Sequence, residues 1–105
     1  MDRNKNLKEI KPFIGKINKE FKPTMIILFG SRAKGNAWKR SDYDFVIVSE
    51  KFNNVHWLKR ISKIIKHWDL NEDIDVLPYT QKEFEDKKEN SSTVRTAIKE
   101  GIIIN

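Results

Sequence analysis

The stretch Phe29–Val48 reads FGSRAKGNAWKRSDYDFVIV and decides both the fold and the candidate chemistry of this chain. The unbroken apolar run at residues 25–29, which leads into it, is typical of a strand buried on both faces. A second apolar run, residues 45–48, closes the stretch. The polar residues between these runs therefore lie where one buried strand ends and the next begins.

A glycine–serine turn follows the first predicted strand. Gly30 has no Cβ, which lets the backbone come close to a ligand. The pattern predicts a short helix over about residues 31–37, whose first amides have no partners inside the helix and suit an anion. Gly30 and Ser31 are therefore candidate phosphate-binding residues. Arg32 or Lys34 is expected to neutralise charge beside them, unless both simply face water.

Two aspartates stand one residue apart at the start of the second predicted strand. Asp42 and Asp44 are at positions i and i+2, and this separation puts both side chains on one face of a strand. Two carboxylates that point the same way suit Mg²⁺, a hard cation that binds carboxylates together with substrate phosphates. The sequence therefore predicts a phosphate-holding turn that faces a metal-binding pair.

This combination resembles the signature of the DNA polymerase β-like nucleotidyltransferases. It is most similar to that of the minimal nucleotidyltransferases, the small partners of HEPN proteins in toxin–antitoxin pairs, in which GSRA-x-G is followed by SD-x-D. The matching residues are Gly30, Ser31, Arg32, Ala33, Gly35, Ser41, Asp42 and Asp44. The resemblance implies an ATP substrate and a nucleotide site at Gly30, Ser31 and Arg32, with Asp42 and Asp44 as catalytic ligands of two Mg²⁺ ions.

The resemblance also implies a third carboxylate, on a strand predicted over residues 74–79. Asp75 is favoured because it lies between apolar residues, where a strand would hold it firmly. Asp73, two residues earlier on the same face, is the alternative. Asp75 is thus expected to be catalytic and to hold the second metal ion.

The site itself predicts a topology. The turn lies at the end of the first strand and the aspartate pair at the start of the second, so these strands must be antiparallel if the two groups meet. Asp75 lies near the start of the third strand, beyond a helical crossover, so the second and third strands should be parallel. We expect an α/β (α+β) fold, a small mixed β-sheet with helices packed on it, which is also the fold that the resemblance implies.

Apolar residues at steps of three and four predict the helices. The first should end at Pro23, and Pro12 should separate its regular part from an earlier turn. The second should span residues 57–68 with Asn53 or Asn54 as its N-cap. Ser91 or Ser92 should cap a third helix, which ends at Gly101 before the apolar residues 102–104, a short strand or a buried end.

The composition limits the remaining possibilities. A chain of 105 residues has room for one domain, residues 1–105, around a modest core. The absence of cysteine excludes disulfides, cysteine-bound zinc and thiol catalysis. No apolar run is long enough to cross a membrane, and the first residues lack the apolar segment of a signal peptide, so a cytoplasmic location is expected.

The acceptor of the nucleotide is not specified by the motif. The resemblance implies a HEPN-type toxin encoded nearby, whose tyrosine receives AMP from ATP. Trp38, flanked by Lys39 and Arg40, is either a docking residue for that partner or a residue folded back onto the sheet. One alternative is an antitoxin that neutralises its toxin by direct binding, with weak turnover. A basic nucleic-acid-binding module is a third hypothesis, supported only by the net charge of +6.

Overall fold

The computed structural model describes residues 3–35 and 42–105. The elements in chain order are α1 (Arg3–Glu9), α2 (Lys11–Phe21), β1 (Met25–Phe29), α3 (Ser31–Lys34), β2 (Tyr43–Val48), a 3-10 turn (Glu50–Phe52), α4 (Trp57–Ile65), β3 (Ile74–Tyr79), α5 (Gln81–Asn90), α6 (Ser92–Glu100) and β4 (Ile102–Ile103). Pro12 lies in the first turn of α2, where its missing amide costs no helical hydrogen bond. The predicted separation of an earlier helical segment from the regular helix is confirmed.

Within the described residues, four strands form one mixed sheet in the order β3-β2-β1-β4. Strands β1 and β2 are antiparallel, and β2 and β3 are parallel. Both orientations agree with those predicted from the site. Strand β4 pairs antiparallel with β1 at the other edge of the sheet, a pairing that the sequence pattern did not predict.

Side chains alternate between the two faces of the sheet along each strand, and both faces carry apolar residues. Helices therefore cover both faces. We call the face that carries Ile27, Val46 and Val48 the front face, which packs against α5 and α6 through Phe84 and Val94. The opposite face is the back face, and α1, α2 and α4 pack on it. Its buried core consists of Ile10, Phe13, Ile14, Ile17, Phe21, Ile26, Leu28, Ala33, Tyr43, Phe45, Ile47, Phe52, Ile64 and Val76.

The helix caps agree only partly with the sequence. Ser91 accepts a hydrogen bond from the amide of Val94 and caps α6, as predicted. The prediction for α4 was wrong, since its N-cap is His56, whose Nδ1 accepts from the amide of Leu58 at 3.2 Å, and neither Asn53 nor Asn54 has that role. A short turn of 3-10 helix occupies the residues just before those asparagines and shifts the start of α4 along the chain.

Arg60 connects α4, β3 and α5 at the end of the sheet that is remote from Gly30. Its side chain is buried, donates to the carbonyls of Val55 and Pro78, and forms a paired hydrogen bond with the carboxylate of Glu83. The Arg60 guanidinium lowers the pKa of Glu83, a carboxyl that is also held by Thr80. Among the described residues, no helix has the length and the apolar character needed to cross a membrane.

Replacing Arg60 with Met should destabilise the fold. The half-buried carbonyl of Val55 and the buried carbonyl of Pro78 would each lose a donor, and leaving such acceptors unsatisfied costs about 2–4 kcal/mol in total. Urea unfolding should therefore show a lower midpoint with an unchanged slope. Lys59→Met, at the adjacent exposed position, is the matched control and should change stability little. An Arg60→Met protein as stable as the parent would mean that these bonds do not support the fold.

Candidate active site

Gly30 lies against the carboxylate of Asp44. The pairing of β1 with β2 sets Phe29 opposite Asp44, so the residue after Phe29 reaches the start of β2. A Cβ on Gly30 would stand 2.5 Å from Oδ2 of Asp44, closer than real contacts allow. The backbone of Gly30 also has a φ of +75°, a conformation that L-residues rarely adopt. Only glycine fits this position without displacing the carboxylate.

Three aspartates share the front face at this end of the sheet, and we call them the carboxylate cluster: Asp42, Asp44 and Asp75. Asp44 alternates with Tyr43 and Phe45, which face the back, and Asp42 precedes it by two residues. The parallel register of β2 and β3 places Asp44 directly beside Asp75. Asp42 and Asp75 are exposed and Asp44 is half-buried. The front face therefore presents three carboxylates next to the Gly30 turn.

Asp73, the alternative third carboxylate, lies one residue before β3. Its backbone carbonyl accepts a hydrogen bond of 2.9 Å from the amide of Tyr43, which extends the pairing of the two strands. By register Asp73 is level with Asp42, whereas Asp75 is the direct neighbour of Asp44. The sheet thus favours Asp75 by position, although the choice between the two remains a prediction.

The charges of the carboxylate cluster act on one another. Burial, followed by the negative charges of Asp75 and Asp42, raises the pKa of Asp44 to about 6. Like charges at close range oppose ionisation of the more buried group. A divalent cation would relieve this repulsion, and carboxylate oxygens are the donors that Mg²⁺ prefers. No three acidic or histidine side chains among the described residues already converge on one point, so the side chains would have to turn towards a shared ion.

The Arg32 side chain lies on the back face of the sheet, away from the carboxylate cluster, whereas the sequence predicted it beside the phosphate-binding turn. This side chain is fully buried, with Nη1 3.1 Å from Oδ1 of Asn6 and the guanidinium carbon 4.5 Å from the centre of the Tyr43 ring. This burial does not favour a direct contact with nucleotide, so that role stays a prediction without support from its position. Lys34 is exposed and forms an ion pair of 2.7 Å with Glu100, at the end of α6.

The segment between the turn and the aspartates is described only in part. Helix α3 ends at Lys34, earlier than the predicted residue 37, and Gly35 caps it in the left-handed conformation with a φ of +78°. Ser41, part of the sequence motif, and Trp38, the candidate docking residue, lie outside the described residues.

A surface groove of about 490 Å³ lies at the other end of the sheet. It is lined by Trp57, Tyr79, Lys82, Glu83, Asp86 and Lys87. Tyr79 is the last residue of β3, whereas Asp75 is the second, so the groove is separated from the carboxylate cluster by about 13 Å of strand. Its lysines and acids are balanced in charge, and its position makes it no part of the candidate active site.

Comparison with known families gives a match over nearly the whole chain. The family described as "Polymerase beta, Nucleotidyltransferase" matches residues 8–104. This range includes the Gly30 turn and all three members of the carboxylate cluster. A comparison with curated proteins gave no significant match.

Solved structures share the fold at low sequence identity. A protein from Sulfolobus solfataricus, described as a candidate nucleotidyltransferase, matches with a TM-score of 0.64 and 20% identity over 96% of this chain and 80% of its own. A structure described as a toxin–antitoxin with AMP-PNP matches with a TM-score of 0.55 and 22% identity over 87% and 68%. BolA1 from Arabidopsis thaliana also matches, with a TM-score of 0.55 and 18% identity over 79% and 96%. These likenesses concern the fold alone.

Neutralising Asp44 should stabilise the metal-free protein at neutral pH. The pKa of Asp44 is about 6 in the folded state, whereas its ordinary value is 3.8, so the folded state binds this proton more tightly than the unfolded chain does. The charged carboxylate therefore lowers stability above about pH 6, and the penalty fades as the pH falls from about 6 to 4. In EDTA, Asp44→Asn should melt at a higher temperature than the parent at about pH 7.5, with no difference near pH 4.

Calorimetric melting across that pH range checks this expectation. Asp69→Asn removes one charge at an exposed position outside the carboxylate cluster and serves as the control. An Asp44→Asn protein that is less stable than the parent at neutral pH in EDTA would contradict the raised pKa of Asp44, which burial and the neighbouring charges cause.

Adding a methyl group at Gly30 should disturb the carboxylate cluster. Gly30→Ala would force the Asp44 carboxylate to move and would strain the backbone at its positive φ. We expect a lower melting temperature and Mn²⁺ binding that is weaker by at least about tenfold in calorimetry. Gly15→Ala is the matched control, because a Cβ at Gly15 meets nothing within 4 Å, and it should bind Mn²⁺ like the parent. Unchanged Mn²⁺ affinity in a folded Gly30→Ala protein would place the cation elsewhere.

Proposed function

The chain belongs to the polymerase β nucleotidyltransferase family, and on that basis we propose that it transfers AMP from ATP to a hydroxyl group of a partner protein, acting as an antitoxin. The observation that carries this proposal is the meeting of the Gly30 turn with Asp44 and Asp75 at one end of the sheet. Nucleotidyl transfer needs a backbone turn that can hold phosphate and, beside it, carboxylates that can bind Mg²⁺. Residues 1–105 would form the single catalytic domain.

The carboxylate cluster would hold Mg²⁺. Asp42 and Asp44 offer oxygens on one face, and Asp75 offers a further oxygen from the neighbouring strand. Two bound Mg²⁺ ions would supply charge neutralisation of the triphosphate and a lower pKa for an attacking hydroxyl. The donor chemistry fits, since all three groups are carboxylates and the pKa of Asp44 is raised partly by its two neighbours.

The residues of the chain then have separate roles. The backbone around Gly30 and the hydroxyl of Ser31 would hold the β- and γ-phosphates, where negative charge grows during the reaction. Asp75 would accept the proton of the acceptor hydroxyl. The acceptor oxygen would bond to the α-phosphorus as the bond from that phosphorus to the bridging oxygen breaks, and pyrophosphate would leave. No covalent intermediate with the protein is needed.

A toxin is the acceptor that we propose. One structure with the same fold is described as a toxin–antitoxin with AMP-PNP, a non-hydrolysable relative of ATP. The Asp42 and Asp75 side chains are exposed, so a partner surface could reach them. We propose a HEPN-type toxin as the partner, a tyrosine as the AMP acceptor and the cytoplasm, where ATP is abundant, as the setting.

Asparagine variants of the acidic residues test this chemistry. Asp44→Asn keeps the size of the side chain but removes the charge that holds Mg²⁺, so transfer should slow roughly a hundredfold, which corresponds to about 3 kcal/mol. Asp75→Asn should cause a loss of similar size. Asp73→Asn removes one charge just before the same strand, so it is the matched control and should retain the parent rate.

The measurement is the transfer of label from ATP to the protein encoded beside this one, with Mg²⁺ present and mass spectrometry to locate the added AMP. Parent-rate transfer by a folded Asp44→Asn protein would rule out the metal assignment. Equal losses in Asp73→Asn and Asp75→Asn would leave the third carboxylate unassigned.

A cell-based experiment separates the enzyme from a purely binding antitoxin. Asp42→Asn would be expressed together with the toxin at the level of the parent protein. An enzyme should lose protection when this carboxylate is neutralised, even though the complex still forms. Full protection by Asp42→Asn would favour neutralisation by contact alone.

A further inference from the structure

A buried polar cluster lies on the back face, directly behind the candidate active site. We call it the back-face network: Asn6, Glu9, Arg32 and Tyr43. Asn6 is fully buried, and its Nδ2 donates to the carbonyl of Arg32 at 3.1 Å. Its Oδ1 accepts from Nη1 of Arg32 at 3.1 Å and lies 3.3 Å from the hydroxyl of Tyr43. One helix residue therefore holds both α3 and β2.

The two partners of Asn6 stand next to the site residues in the sequence. Arg32 follows Ser31, and Tyr43 lies between Asp42 and Asp44. Because Tyr43 points to the back face, the two aspartates beside it point to the front face. The orientation of Tyr43 is therefore directly linked to the orientation of the carboxylates.

Helix α3 needs this support because it is only four residues long. A helix of this length makes few internal hydrogen bonds and is not stable alone. Its far end rests on α1 as well, since a Cβ on Gly35 would stand 3.0 Å from Cβ of Arg3. Residues of α1 thus contact Arg32 within α3 and Gly35, which caps α3.

The network is also costly to bury, which argues that its arrangement is specific. A buried guanidinium needs partners that compensate for the lost hydration. Arg32 has the amide oxygen of Asn6 and the face of the Tyr43 ring, and the Tyr43 hydroxyl lies 3.1 Å from the carboxylate of Glu9. An apolar residue at Asn6 would continue the apolar stripe formed by Ile10 and its neighbours, so a polar residue here is a sequence signal for the network.

We propose that Arg32, held by Asn6 and Tyr43, is a positioning residue that fixes the Gly30–Ser31 turn against the carboxylate cluster. Helix α1 is then part of the active-site framework, in addition to covering the sheet. The kinetic consequence rests on the proposed nucleotidyl transfer, whereas the consequence for cation binding can be measured without it.

The chain offers a matched control for this proposal. Arg32 and Arg60 are both buried, and the side chain of each is hydrogen-bonded to residues of other helices or strands. Arg60, however, lies at the end of the sheet remote from the carboxylate cluster. Arg32→Lys and Arg60→Lys are the same chemical change, and both should lower the melting temperature. Only Arg32→Lys should also affect the site.

The experiment measures Mn²⁺ affinity by calorimetry and the kcat and KM of AMP transfer, at a temperature at which circular dichroism shows all proteins folded. Arg32→Lys should weaken Mn²⁺ binding about tenfold and lower kcat about ten- to hundredfold, with a smaller change in KM. Arg60→Lys should match the parent in both. Asn6→Ala, which removes the amide that donates to the carbonyl of Arg32 and accepts from its Nη1, gives the same test if Arg32→Lys does not fold.

The outcomes are distinct. Parent-like Mn²⁺ affinity and kcat in the folded Arg32→Lys protein, or in Asn6→Ala where it takes its place, would overturn the proposal and leave the network a purely structural one. Absence of transfer by the parent would refute the proposed function, and the Mn²⁺ comparison would still decide the role of Arg32. Absence of Mn²⁺ binding by the parent would overturn both.

Discussion

The register between three neighbouring strands is the constraint on which the rest of this structure depends. Phe29 pairs with Asp44 across the antiparallel contact, and Asp44 pairs with Asp75 across the parallel one. A shift of one residue in either contact would turn a carboxylate to the other face of the sheet. The apolar side chains that fill both faces hold that register, because the same shift would also expose the core.

The two faces of the sheet have different tasks at this end. The front face carries three carboxylates, and burial together with the negative charges of Asp75 and Asp42 raises the pKa of Asp44. The back face carries a paired set of polar groups in which the Arg32 guanidinium lies over the Tyr43 ring, and burial raises the pKa of that phenol to about 12. The paired polar groups of the back-face network thus lie directly behind the carboxylate cluster on the front face. The carboxylate cluster has excess negative charge, which would favour binding of a cation.

Much of the fold was predictable because the signals were local. Alternation and apolar runs gave β1, β2 and β3, and the position of the turn relative to the aspartates gave their orientations. The features that were missed depend on residues far apart in the chain. The buried Arg32 side chain is hydrogen-bonded to Asn6, which is 26 positions away. The pairing of β4 with β1 joins Ile103 to Ile27, which lies far earlier in the chain.

The cap of α4 was missed for a different reason. Asn53 and Asn54 are better N-cap residues than histidine by general preference, but the 3-10 turn before them shifts the N-cap to His56 and the helix start to Trp57. For the candidate site, motif residues could be named from the sequence, whereas the side of the turn on which Arg32 lies could not. A cation after a phosphate turn looks the same in sequence whether it faces solvent or the core.

The contact between Gly30 and Asp44 restricts how this site can change during evolution. Any side chain at position 30 collides with the carboxylate at position 44, so the glycine can be replaced only after the aspartate has become smaller or turned away. Loss of the acid would remove this clash, although the φ of +75° at position 30 would still favour glycine. A descendant of this chain that loses both residues should therefore pass through a form that keeps the glycine and lacks the aspartate, and restoring the original pair would then take two substitutions.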